Sequence, residues 1–188
     1  RNSKANEIIE AESRKDIRKD INYEYIFHKN TEVLFKEGSS ISHYSYGVRL
    51  YNQSGIDEWK ELELSVDYNR QKLIFEQAKV IKSDGKRIAA ERNENHLVFP
   101  SLEAGDIILV EYRYENHVWG KLSKEFWNKF ALSSYVPVNN AELVIYAPKE
   151  LDIQIVNENF KIEPTKENID EFVCYKWYFE KNPAIEYE

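Results

Sequence analysis

The sequence holds a single cysteine, Cys174, and no methionine. A lone thiol forms no internal disulfide, which excludes a disulfide-stapled scaffold without excluding an oxidising compartment. No apolar run approaches the roughly 20 residues of a membrane span, and no signal-peptide core is present. A basic face is missing as well. The densest cationic pairs, Arg14-Lys15 and Arg18-Lys19, alternate with acids in a chain of net charge −7. Phosphate neutralisation needs clustered Lys and Arg, so the composition argues against a nucleic-acid partner. With Arg1 first and no methionine, the sequence is expected to be an excised or processed part of a longer protein.

Recognisable catalytic spacings are absent too. No Gly-x-Ser-x-Gly elbow, phosphate-binding glycine loop or His-Glu-x-x-His pair occurs. His28, His43, His96 and His117 lie far from one another and from Cys174 in sequence, so no zinc spacing appears, although His28 and His43 would approach one another on paired strands. Cys174 sits between Val173 and Tyr175 with nothing nearby to lower its pKa, and it reads as packing rather than as a nucleophile. Neither a catalytic residue, a cofactor nor a metal site is assigned, and the chain is not expected to be an enzyme.

What the sequence has is hydrophobic content of 42% and aromatic content of 14%, enough for a core and weighted toward β structure. Residues 1–20 are charged helix formers with sparse apolar positions (Ile9, Ile17, then Ile21), and read as a linker or as the end of a preceding helical segment. From Ile21 the apolar period becomes two. Ile21, Tyr23, Tyr25 and Phe27 are expected on one strand face. Tyr44, Tyr46, Val48 and Leu50 form another such set, as do Leu62, Leu64, Val66 and Tyr68. Between Phe75 and Ala78 the parity slips, which predicts a bulge near Gln77. Ser83-Asp84-Gly85-Lys86 marks a hairpin with a two-residue turn. Ile108, Val110, Tyr112 and Tyr114 share a face of the next strand, while Ile107 and Leu109 make its first half apolar on both sides. Residues 123–134 fit a helical face through Phe126, Trp127 and Phe130 or an alternating strand through Phe126, Phe130 and Leu132, and their aromatics and setting favour the strand. Further strands are expected after Pro137, over 151–156 and over 171–180, the last turning Val173, Tyr175, Trp177 and Phe179 one way and Cys174 the other. About ten short strands without long helical patterns indicate an all-β antiparallel sandwich or curled sheet over residues 21–188.

Several short motifs recur in a recognisable order: Ala78–Lys86 (AKVIKSDGK), Phe99–Asp106 (FPSLEAGD), Val110-Glu111-Tyr112, Phe130-Ala131-Leu132, Pro137-Val138, Ala147-Pro148-Lys149 and Asn182-Pro183-Ala184-Ile185. Together they resemble the bacterial all-β domain of unknown function that precedes transglutaminase-like domains, especially in Bacteroidetes, over roughly residues 20–187. The resemblance implies an accessory domain of a larger protein in the periplasm or cell envelope of a Gram-negative bacterium. Its partner would be a transglutaminase-like domain of the same chain, and helical repeats upstream would suit residues 1–20. It assigns no catalytic residues. An independent reading is a glycan- or peptide-binding module. Trp59, Trp119 and Trp127 lie near loops or strand ends, where they serve either as a stacking platform or as core and rim packing.

Within FPSLEAGD, Gly105 supplies backbone freedom that a Cβ would restrict, Asp106 bonds nearby backbone, and Phe99 and Leu102 anchor the approach to the core. Gly105→Val is therefore expected to cost about 2 kcal/mol and to lower the Tm by about 4–8 °C; an unchanged calorimetric Tm would refute the strained turn.

Overall fold

The structure is a computed structural model, which describes residues 8–11, 18–118, 120, 126–131, 134–156 and 162–182. Eleven strands are present among these residues. They are β1 (Tyr23–Leu34), β2 (Ser40–Leu50), β3 (Glu61–Glu63), β4 (Gln71–Ile81), β5 (Arg87–Ala89), β6 (Glu91–Asn93), β7 (His96–Val98), β8 (Ile107–Asn116), β9 (Val138–Pro148), β10 (Thr165–Ile169) and β11 (Phe172–Asn182). A short helix, α1 (Gln53–Trp59), follows β2. Eight strands form one sheet in the order β10-β11-β9-β1-β2-β8-β4-β5, and β3-β7-β6 form a second. The expected all-β architecture is therefore present. One pair departs from the antiparallel rule: β1 and β9, brought together across a hundred residues of chain, run parallel.

The large sheet has two faces. Its front carries Tyr46, Val48, Leu50, Val80, Ile108, Val110 and Tyr112, covered by Trp59, Leu64, Leu97 and Phe99 from α1 and the small sheet. On the β9–β11 side the same face carries Leu34, Leu143, Ile145, Trp177 and Phe179, with Phe126, Phe130, Leu151, Ile153 and Ile155 packed against them. Val173, Tyr175, Trp177 and Phe179 share this face, and Cys174 pairs with Tyr146 on the other. The back of the sheet has a smaller apolar patch of Ile26, Phe27, Ile81, Ile107 and Leu109. It is covered by the helical residues 8–11, whose Ile9 is 3% exposed. That stretch buries more than its sparse pattern led us to expect. β8 is thus covered on both sides at Ile107 and Leu109.

Two bulges set these faces. The register of β4 on β8 shifts between Phe75 and Gln77, at the expected place, so Leu73 and Phe75 before it and Ala78 and Val80 after it all face front. The second was not anticipated. β1 shifts against β2 between Tyr25 and Phe27, and its extra residue Ile26 sends Phe27 to the back, away from Tyr23 and Tyr25. Phe27 there lies over Gly47, where a Cβ would stand 2.9 Å from the ring edge. The Ile26 carbonyl accepts a hydrogen bond from Asn140 Nδ2 at 3.0 Å.

Other local readings change. The β4–β5 turn places only Gly85 at positive φ, +87°, with Gly85 N–H donating to the Lys82 carbonyl and Lys82 N–H to that of Lys86. The loop is thus three residues, Ser83 to Gly85, rather than two. Residues 126–131 and 151–156 form no strand; their apolar side chains pack down onto the β9–β11 core instead of extending the ladder. Leu132 lies outside the described residues. β3 ends at Glu63, opposite His96 where its partner β7 begins; an Asx turn follows at Asp67, whose Oδ1 accepts from Asn69 N–H at 3.1 Å, and Tyr68 is left exposed.

The FPSLEAGD motif forms a corner as read. Gly105 has φ +97°, Asp106 Oδ2 accepts from Glu103 N–H at 2.7 Å, and Lys82 Nζ sits 2.6 Å from the same oxygen. α1 was missed, although Asn52 is a recognisable N-cap, its side chain accepting from Gly55 N–H at 3.1 Å. Gly55 touches the chain entering β1: a Cβ would lie 2.3 Å from the Asn22 carbonyl oxygen. Backbone cannot yield as a side-chain end does, so Gly55→Ala is expected to cost about 2 kcal/mol or more, read as a lower urea midpoint with an unchanged m-value.

Candidate functional site

Past the Ile26 bulge, β1 turns His28, Asn30, Glu32 and Leu34 to the front of the sheet, opposite Tyr46, Tyr44, Ser42 and Ser40 of β2. The first three form a polar stripe between the two apolar halves of that face. A cleft of about 310 Å³ opens along it, with Tyr25, His28, Asn30 and Tyr44 on the sheet and Lys129 and Phe130 on the covering segment. This size lies at the lower end of small-ligand sites.

His28 stacks on Tyr25, with ring centroids 5.5 Å apart, and meets Tyr46 edge-on at 5.9 Å. Burial pushes its pKa down, so the imidazole is neutral at pH 7. Glu32 is 0% exposed. Its Oε2 accepts from Ser42 Oγ at 2.7 Å. Ser42 Oγ in turn accepts from Asn116 Nδ2 at 2.9 Å, and Asn116 Oδ1 accepts from Gln71 Nε2 at 3.0 Å. A hydrogen-bond chain therefore crosses four strands, β4, β8, β2 and β1, to end on one carboxyl. The other oxygen of that carboxyl, Oε1, and the Asn30 Oδ1 beside it are buried without a partner. Among the described residues no cation pairs with Glu32. Burial accordingly raises it from 4.5 to about 7, against the opposing hydrogen bonds from Ser42 and Asn30. Burial and the nearby Glu32 also push Tyr44 up to about 12.

The residues singled out from sequence are scattered. His43 faces the back, where its Nε2 lies 3.0 Å from Glu76, so it does not meet His28. His96 sits 3.4 Å from Glu61 on the small sheet, and His117 is exposed at the end of β8. No group of His, Cys, Asp or Glu suited to a metal occurs among the described residues. Cys174 is buried on the back, and burial raises its thiol pKa. Trp59 is core, in edge contact with Tyr23, Tyr25 and Tyr46, and is unavailable as a platform. Trp127 is 88% exposed, and Trp119 lies outside the described residues. Sequence reasoning missed Asn30 and Glu32 altogether. The alternation His-Lys-Asn-Thr-Glu was the available signal, and the unseen bulge concealed which face it occupies.

The sequence profile of a domain family of unknown function with a solved structure (DUF3857) matches residues 88–186. Among curated proteins none matches. Among solved structures, a candidate protease from Parabacteroides distasonis shares the fold with a TM-score of 0.76 and 16% identity, over 89% of this chain and 37% of that one. An M1 zinc metallopeptidase from Deinococcus radiodurans gives a TM-score of only 0.35 and 10% identity, over 82% of this chain and 38% of that one. The chain thus spans little more than a third of either protein.

The raised Glu32 pKa fixes a sign. The folded state holds this proton more tightly than the unfolded state does, so the stability it contributes is present below pH 4.5 and is lost as pH rises through about 7. Glu32→Gln is expected to stabilise the protein relative to the parent at pH 8 by up to about 3 kcal/mol and to make little difference at pH 4. Urea unfolding at the two pH values reads the difference.

Proposed function

The chain belongs to the DUF3857 family, and on that footing we propose that it is a non-catalytic accessory domain of a larger bacterial envelope protein. It would dock, or recognise substrate for, a transglutaminase- or peptidase-like domain in the same full-length chain. The observation that carries this reading is one of proportion: the fold extends over 89% of this chain, yet over only 37% of the candidate protease that shares it. A fold that recurs as a third of a longer chain has a neighbour to serve. The front-face cleft gives such a domain somewhere to hold a substrate segment, and the motif order in FPSLEAGD and AKVIKSDGK supports the transglutaminase-associated assignment. In this reading residues 21–188 form the domain, and residues 1–20 are a charged linker or the end of a preceding helical segment, of which residues 8–11 meet the back of the sheet through Ile9.

A second reading, an independent glycan- or peptide-binding module, is favoured by one observation. Trp127 presents an almost fully exposed indole two residues from the cleft-lining Lys129, and such flat amphipathic rings suit sugar or peptide stacking.

The two readings separate in the full-length protein. Deleting this domain is expected to lower turnover of a polymeric substrate about tenfold or more, as when a tethered binding site is lost, while turnover of a small reporter by the remaining domain is retained. Unchanged polymer turnover, folding and localisation would refute the accessory role; glycan binding by the isolated chain that disappears in Trp127→Ala would favour the module.

A further inference from the structure

The front-face cleft has an unusual hydrogen-bonding balance. The two buried side-chain oxygens behind it, Asn30 Oδ1 and Glu32 Oε1, have no donor. Each is an acceptor, and buried acceptors left unpaired are costly. Among the described residues this carboxyl is also the one buried acid without a cation. Buried Glu24 has Arg18 Nη1 at 3.2 Å and the Tyr51 hydroxyl, and buried Asp106 has Lys82. Glu32 has a serine and an amide. The aromatic rings of Tyr25 and Tyr44 line the approach, each with one face stacked, on His28 and on Tyr112 respectively, and tyrosine faces attract cations. Lys129, the cation that lines the cleft, already has an interaction partner.

We propose that this cleft is a binding site for a protonated primary amine on an extended chain, such as a lysine side chain of a peptide. The ammonium would donate to Asn30 Oδ1 and lie between the tyrosine rings, about 7 Å from Glu32, one same-face step along β1. Its positive charge would offset that of the Glu32 carboxylate across that distance. The hydrocarbon stem of the amine would run along Phe130, Val138 and Leu143, which supply the apolar lining. The groups facing Glu32 leave this role open. β1 offers His28 and Asn30, β2 offers Ser42 and Tyr44, β8 offers Tyr114 and Asn116, and β9 offers Leu143 and Ile145, while Glu142 of β9, which also lines the cleft, is already paired with Lys29 and Lys176. His28 and Glu32 act with the same sign: raising the pH deprotonates both, which removes a competing positive charge and adds a negative one. The inference rests on the substrate-recognition reading for its purpose and on the cleft alone for its chemistry.

The test uses the 188-residue chain and two probes, Nα-acetyl-lysine methylamide and the same compound acetylated at Nε, followed by calorimetric or NMR titration at pH 8. The ammonium probe is expected to bind about tenfold more tightly than the acetylated one. That preference should shrink about tenfold at pH 6 and vanish in Glu32→Gln, whose retained fold is checked by its unfolding midpoint at pH 5. Asn30→Leu provides an independent variant with the same expected loss. Equal binding of both probes, binding of neither, or an undiminished preference in Glu32→Gln would overturn the inference. None of these outcomes bears on the domain deletion in the full-length chain, which tests the accessory role separately.

Discussion

The extra residue at Ile26 is the constraint on which the rest of the structure turns. A strand has a side-chain period of two, so one added residue exchanges the faces of everything beyond it. Before the bulge, Tyr23 and Tyr25 face front with Val48 and Leu50. After it, Phe27 lies on the back over Gly47, completing the patch that Ile9 covers. His28, Asn30 and Glu32 then face front, where they would otherwise have met solvent on the back. One backbone irregularity thus seals one side of the sheet and places a polar stripe in the middle of the other.

Three buried carboxyls show how the protein handles charge away from water. Asp106 is held by Lys82 and by a backbone amide at a tight corner. Glu24 is held by Arg18 and Tyr51 where the incoming chain crosses the back of the sheet. Both arrangements pin segments of chain to the sheet. Glu32 has no counter-ion among the described residues and ends a relay of neutral side chains from Gln71. A buried charge without a cation is costly unless it takes up a proton or a partner. The carboxyl is accordingly poised near neutrality, beside a cleft, where the other two serve only the fold.

Not every feature was equally legible in the sequence. The bulge at Glu76 could be read because apolar residues flank it: Leu73 and Phe75 on one parity, Ala78 and Val80 on the other. The bulge at Ile26 could not. Polar residues follow it, and a polar alternation carries no mark of which face it belongs to. Leu151, Ile153 and Ile155 were misread for the converse reason. They alternate as a strand does, yet they cover the β9–β11 core without joining a ladder. Period two reports one-sided burial, and hydrogen-bond pairing is a separate matter. Trp59 looked like a loop residue because Asn52 and the short helix behind it went unrecognised, and that helix tucks the indole under three tyrosines.

The sequence by itself determined the all-β class, the strand faces of β2, β8 and β11, the corner at Gly105-Asp106, and the order of motifs that places the chain in its family. Each of these is local: a period, a turn residue, or a run of chain with a fixed spacing. Only the tertiary structure decided that β1 lies parallel to β9, that residues 126–131 cover the sheet, and that Asn30 lines a cleft while Glu32 lies buried next to it on the same face of β1. These depend on pairings between residues a hundred positions apart, and on a single inserted residue whose consequence appears only when two strands are laid side by side.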